Sequence, residues 1–145
     1  MLEPGQRAPD FSLPDQDGHP VSLADLAGGT VVVYFYPKAD TPGCTTQACS
    51  IRDRGSEYRA AGARVVGVSP DPVEAVKRFH TTQSLDFTLL ADEDRAVSQA
   101  FGAEKRSTFI LDAEGTVVHV IAKASPKTHD DEVLHALADL PSSAA

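Results

Sequence analysis

The sequence predicts an α/β fold in which a mixed sheet is covered by helices on both faces. The run Val31-Val32-Val33-Tyr34-Phe35-Tyr36 is continuously β-branched or aromatic, the pattern of a central strand buried on both sides. Segments of strand and helix character alternate after it, and a hairpin followed by an amphipathic helix closes the chain.

Phe11 to Leu13 and Val21 to Leu23 are short extended segments flanking the turn-rich Pro14-Asp15-Gln16-Asp17-Gly18. Pro37 ends the central strand. A helix is expected from about Cys44 to Ala61, then an apolar strand from Arg64 to Val68. Asp71-Pro72 opens a helix whose Val73, Val76, Phe79 and His80 share one face. Phe87 to Leu90 reads as a strand, and Ala96 to Phe101 as a short helix with Val97, Ala100 and Phe101 inward. Asp92-Glu93-Asp94 reads as a solvated turn. Ser107 to Leu111 and Thr116 to Ala122 form a hairpin across Asp112-Ala113-Glu114-Gly115. The last helix opens at Thr128, with Asp131 completing a capping box, and Val133, Leu134, Leu137 and Leu140 make its apolar stripe. With no repeat or linker, residues 1–145 are expected to form a single domain. The element order fits a thioredoxin-like fold, three-layer α/β/α with a central mixed sheet.

Charge and cysteine usage narrow the chemistry. A net charge of −8 disfavours nucleic acid or an anionic membrane as the main partner. Neither a signal peptide nor a membrane span is legible, so a cytoplasmic location is expected. In that compartment a pair of cysteines five residues apart reads as redox-active rather than as a static staple. No His lies at zinc-ligand spacing from them, so neither a metal nor another cofactor is expected.

The segment after the central strand is where an open α/β sheet places its chemistry. It reads Pro37-Lys38-Ala39-Asp40-Thr41-Pro42-Gly43-Cys44-Thr45-Thr46-Gln47-Ala48-Cys49. Thr41 suits an N-cap and Pro42 the first helical position, which puts Cys44 third in the helix. Unpaired backbone N–H groups and the positive end of the helix dipole there favour a thiolate, the form that attacks peroxides. Five residues of helix separate Cys44 from Cys49 by a rise of roughly 7.5 Å and a rotation of about 500°. The two sulfurs cannot bond while the helix is intact, so oxidation of the pair requires local unwinding.

On Pro37, Thr41 and Cys44, in the spacing Pro-x3-Thr-x2-Cys, the chain resembles the peroxiredoxins. Cys-Thr-Thr-Gln-Ala-Cys is similar to the bacterioferritin comigratory protein branch, also called peroxiredoxin Q, where a resolving cysteine lies five residues downstream. Segments resembling that branch extend over nearly the whole chain, among them Ala8 to Gly18, Val33 to Pro37, Phe87 to Asp92 and Arg106 to Asp112. The resemblance implies a thiol peroxidase with Cys44 as nucleophile and Cys49 as resolving partner, joined in an intramolecular disulfide. It implies that Thr41 hydrogen-bonds the peroxide, that Pro37 shields the pocket, and that Arg106 is the active-site arginine. A guanidinium there would favour the Cys44 thiolate and polarise the peroxide oxygens. Hydrogen peroxide and alkyl hydroperoxides are the implied substrates, a thioredoxin-like dithiol the reductant, and a monomer the expected state. Two departures stand out. Only Ala103-Glu104-Lys105 separates Phe101-Gly102 from Arg106, a shortened loop, and Gln47 stands where an acidic residue is common.

The residues leave other readings open. A one-cysteine cycle would make Cys49 a bystander. A general disulfide oxidoreductase would need the Cys-x-x-Cys pair that is missing here. A non-enzymatic protein could use helix unwinding to expose apolar surface. His129, beside Asp130 and Asp131, reads as a helix-terminus residue, while His19, His80, His119 and His135 read as surface or packing residues.

Overall fold

A computed structural model describes residues 2–26, 28–38, 41–103, 106–123 and 129–138. Its centre is β3 (Thr30–Phe35), paired in parallel with β4 (Ala63–Ser69) and antiparallel with β6 (Thr108–Leu111). Outside these lie β5 (Thr88–Ala91), parallel to β4, and β7 (Val117–Ile121), antiparallel to β6. The sheet order is therefore β5-β4-β3-β6-β7, a mixed sheet. A separate ribbon pairs β1 (Ser12–Pro14) with β2 (Pro20–Ser22).

Every residue of β3 is buried, as a strand apolar on both faces requires. Val31, Val33 and Phe35 point to one side, where α1 (Leu23–Leu26) and α5 (Ala96–Phe101) contribute Leu23, Leu26, Val97 and Phe101. Val32 and Tyr34 point to the other. There they meet α2 (Pro42–Asp53), α3 (Gly55–Ala60), α4 (Val73–Thr82) and α6 (His129–Ala138) through Ala48, Ile51, Tyr58, Phe79 and Val133. This is the three-layer architecture the sequence predicts.

Several local expectations need correction. The helix expected from Cys44 to Ala61 is two helices, broken at Arg54 (φ −105°, ψ 19°), whose side chain ties Glu57 and Asp131 at 2.6 Å each. The segment expected to extend through Leu23 instead turns into α1 at that residue. Ala100 is exposed, so α5 buries only Val97 and Phe101. Asp92 is no solvated residue: it is buried, and its carboxylate accepts the N–H groups of Val97 (3.2 Å) and Ser98 (2.8 Å). It thereby satisfies free donors at the start of α5. In α6, Val133 and Leu137 are buried as expected, while Thr128 and Leu140 lie outside the described residues.

One glycine of the sheet sets the geometry below the site. Gly67 is the cross-strand partner of both Tyr34 and Leu89. A Cβ there would stand 2.8 Å from the Tyr34 ring and hydroxyl and 2.9 Å from Leu89. The Tyr34 ring occupies that space, stacked on Tyr36 with ring centroids 5.4 Å apart. Gly67→Ala should destabilise the protein by about 1–3 kcal/mol through overpacking, read as a lower urea midpoint with an unchanged m-value. An unchanged midpoint would mean that Tyr34 yields without cost.

Candidate active site

The chain leaves β3 at Phe35, and Tyr36 still donates its N–H to the Val68 carbonyl at 3.0 Å. That tether fixes where the following loop starts. Pro42 is the first residue of α2 and Cys44 the third, as the N-terminal signals predict. Thr41 takes the N-cap position in extended backbone (φ −84°, ψ 153°) but makes no side-chain cap. Its hydroxyl donates to the Lys38 carbonyl at 3.0 Å, which closes the turn ahead of the helix. Pro37, half-buried, lines a cleft of about 320 Å³ together with Tyr36, Ser69 and Arg95.

Cys44 is a free thiol, only 1% exposed, in the first turn of α2. Arg106, at the entrance to β6, reaches across to it. Its Nη2 lies 3.4 Å from Sγ, and its Nη1 donates to Gln47 Oε1 at 3.0 Å. Gln47 is buried one turn after Cys44 on the same helical face, so the planar guanidinium spans sulfur and amide together. The short loop before Arg106 thus still delivers the guanidinium to the sulfur, although Glu104 and Lys105 lie outside the described residues. Sγ thus lies in the first turn of the helix beside a guanidinium, a group whose planar fork also suits a peroxide oxygen.

Cys49, also a free thiol and half-buried, lies on the same unbroken helix. It turns away from Arg106 toward α4, where its Sγ donates to Gln83 Oε1 at 3.3 Å. The structure therefore brings Cys44 and Arg106 together and holds Cys49 apart, as the spacing on a helix demands.

Sequence reasoning undervalued three residues. Gln47 stood out only as a departure, yet it orients Arg106. Gln83 gave no signal, since nothing local links it to Cys49. His129 opens α6, as its helix-terminus reading expects, but it is buried at 1% exposure. Its Nε2 shares a 2.8 Å hydrogen bond with the Thr108 hydroxyl, and its ring lies 5.8 Å from that of Tyr34. Burial, and secondly the charge of Arg106, push its pKa down to about 4.

A buried thiol at a helix start, engaged by a guanidinium, with a second thiol on the same helix and a thioredoxin-like sheet beneath, fits the class of thiol-dependent peroxidases. Residues 4–120 match the model of the AhpC/TSA family, and the chain belongs to that family. Peroxiredoxin Bcp of Escherichia coli (strain K12) is 46% identical over 147 residues, covering 92% of this chain and 94% of that one. Among solved structures, peroxidoxin BcpB from Mycobacterium tuberculosis superposes with a TM-score of 0.92 at 36% identity, covering 98% of this chain and all of the other. The Xanthomonas campestris bacterioferritin comigratory protein, solved to explain its alkyl peroxide reduction activity, gives a TM-score of 0.88 at 35% identity, with 94% and 98% of the two chains covered.

The low pKa of His129 makes a prediction about stability. In the folded protein the imidazole stays neutral down to about pH 4, whereas in the unfolded chain it protonates near 6.5. The unfolded state thus binds the extra proton between those values, and stability falls as pH drops from about 6.5 toward 4, with no further loss from this group below. Between pH 7.5 and 5.5 urea unfolding should show wild type losing about 1 kcal/mol more than His129→Asn. Equal losses in the two proteins would show that His129 is protonated alike in both states.

Proposed function

We propose that the chain reduces hydrogen peroxide and alkyl hydroperoxides by a two-cysteine cycle. The Cys44 thiolate attacks one oxygen of the O–O bond. That oxygen becomes the sulfenic acid, and the other leaves as water or an alcohol after taking up a proton. The Cys49 thiol then displaces the sulfenic oxygen as water and forms the Cys44–Cys49 disulfide. A thioredoxin-like dithiol reduces that disulfide and restores both thiols. Arg106 holds the thiolate and the peroxide oxygens, Thr41 hydrogen-bonds the peroxide through a hydroxyl that can accept while it donates to Lys38, and Pro37 screens the pocket from water.

The observation that carries this reading is the 3.4 Å approach of Arg106 Nη2 to Cys44 Sγ within the first turn of α2. The alkyl peroxide activity of the Xanthomonas campestris relative supports organic hydroperoxides as substrates. The sequence reading supports residues 1–145 acting as one domain, a monomer in the cytoplasm, with no role for nucleic acid, membrane or cofactor. No helix among the described residues is long and apolar enough to cross a membrane. Nor does any described group of three His, Cys, Asp or Glu side chains offer a metal site.

Stopped-flow consumption of hydrogen peroxide and cumene hydroperoxide by the reduced protein tests the reading. Cys44→Ser should lose the fast reaction. Arg106→Ala should slow it about 10- to 100-fold, the worth of a charge-assisted hydrogen bond. Cys49→Ser should react once at the wild-type rate and stall as a sulfenic acid. A wild type no faster than a free thiol would overturn the peroxidase reading. Full turnover by Cys49→Ser would replace the two-cysteine cycle with a one-cysteine one.

A further inference from the structure

Cys49 must leave the helix to reach Cys44, and what holds it there belongs to another element. Its Sγ donates to Gln83 Oε1 at 3.3 Å. One turn further along α2, the guanidinium of Arg52 donates to the backbone carbonyl of the same Gln83. Two side chains on one face of α2 therefore converge on a single residue.

Gln83 is itself firmly placed. It is the C-cap of α4, and its N–H reaches back to the Phe79 carbonyl at 3.0 Å. Ser84 follows in the left-handed region (φ 51°) and donates to the Thr81 carbonyl at 3.2 Å, while Leu85 donates to that of His80 at 3.0 Å. These two bonds make a Schellman cap, sealed by buried Leu85. The acceptor offered to Cys49 thus stands on a fixed backbone, not on a mobile loop.

We propose that Gln83 is a positioning residue for the resolving step: it retains Cys49 in the helical, unbridged conformation and so sets how fast Cys49 captures the Cys44 sulfenic acid. The inference rests on the two-cysteine cycle. Two fates compete for the sulfenic acid. Condensation joins Cys44-SOH and Cys49-SH into the disulfide and releases water. Oxidation by a second hydroperoxide yields Cys44-SO₂H and the corresponding alcohol or water. Any unwinding that brings Cys49 to Cys44 must break the Sγ–Oε1 hydrogen bond, so the clamp shifts the balance toward the second fate. The same bond keeps α2 folded while Cys44 and Gln47 engage Arg106, which is what the first step needs.

Rapid quenching of the reduced protein with an alkylating agent, followed by intact mass measurement, separates the steps after a pulse of hydrogen peroxide. Gln83→Leu keeps the side-chain bulk without the acceptor, and Gln83→Glu keeps an acceptor oxygen. Gln83→Leu should form the disulfide about two- to fivefold faster than wild type, the effect of one ordinary hydrogen bond. The peroxide concentration giving half sulfinic acid should rise by the same factor. Gln83→Glu should resolve at the wild-type rate or more slowly. Resolution in Gln83→Leu at or below the wild-type rate overturns the proposal, and so does equal acceleration in Gln83→Glu. If wild type forms no sulfenic acid at Cys44, the peroxidase reading itself fails, an outcome visible before any Gln83 variant is compared.

Discussion

An intact α2 builds the proposed attacking site and at the same time holds apart the two thiols whose bond would complete the proposed cycle. Its first turn presents Cys44 to Arg106, and the next turn supplies Gln47 to hold the other arm of the guanidinium. Cys49, five residues on, faces α4 instead. The helix geometry that places one thiol for attack necessarily removes the other from reach. In the proposed cycle the pair alternates between a folded and a locally unwound helix, so the energy that folds α2 enters the chemistry.

The layers around the site serve that arrangement. β3 and β6 are neighbours, so the loop after β3 and the arginine at the start of β6 emerge at the same end of the sheet. Beneath them the Tyr34 ring fills the space over Gly67 and packs against Tyr36 and His129. His129 is joined to Thr108, two residues from Arg106, and burial keeps its imidazole neutral. A second cation below Arg106 would repel the guanidinium, so a neutral buried ring is the form compatible with the site.

What the sequence revealed follows from which forces are local. The burial of β3 on both faces was written in six consecutive apolar residues, and the start of α2 in Thr41-Pro42, because strand patterning and helix initiation depend on near neighbours. The position of Cys44 followed by counting. Arg106 needed the family resemblance, since 62 residues separate it from the sulfur it approaches. Asp92 was misread for a related reason: a charged residue in a polar stretch looks solvated until tertiary packing buries it, and the burial of His129 at the start of α6 was hidden in the same way. The break at Arg54 gave no clear signal either, since it is tied to Asp131 on a helix far along the chain. The role of Thr41 differs from its expected cap because the Lys38 carbonyl competes for its hydroxyl.

Hydrogen exchange at the backbone amides of residues 45 to 53 tests the central claim most directly, comparing the reduced protein with the protein oxidised by one equivalent of peroxide and verified to contain the disulfide. These amides should be protected in the reduced form and lose protection on oxidation, while those of β3 and β4 stay protected in both. Equal protection of α2 in the two forms would contradict it, because the disulfide would then have formed on a folded helix.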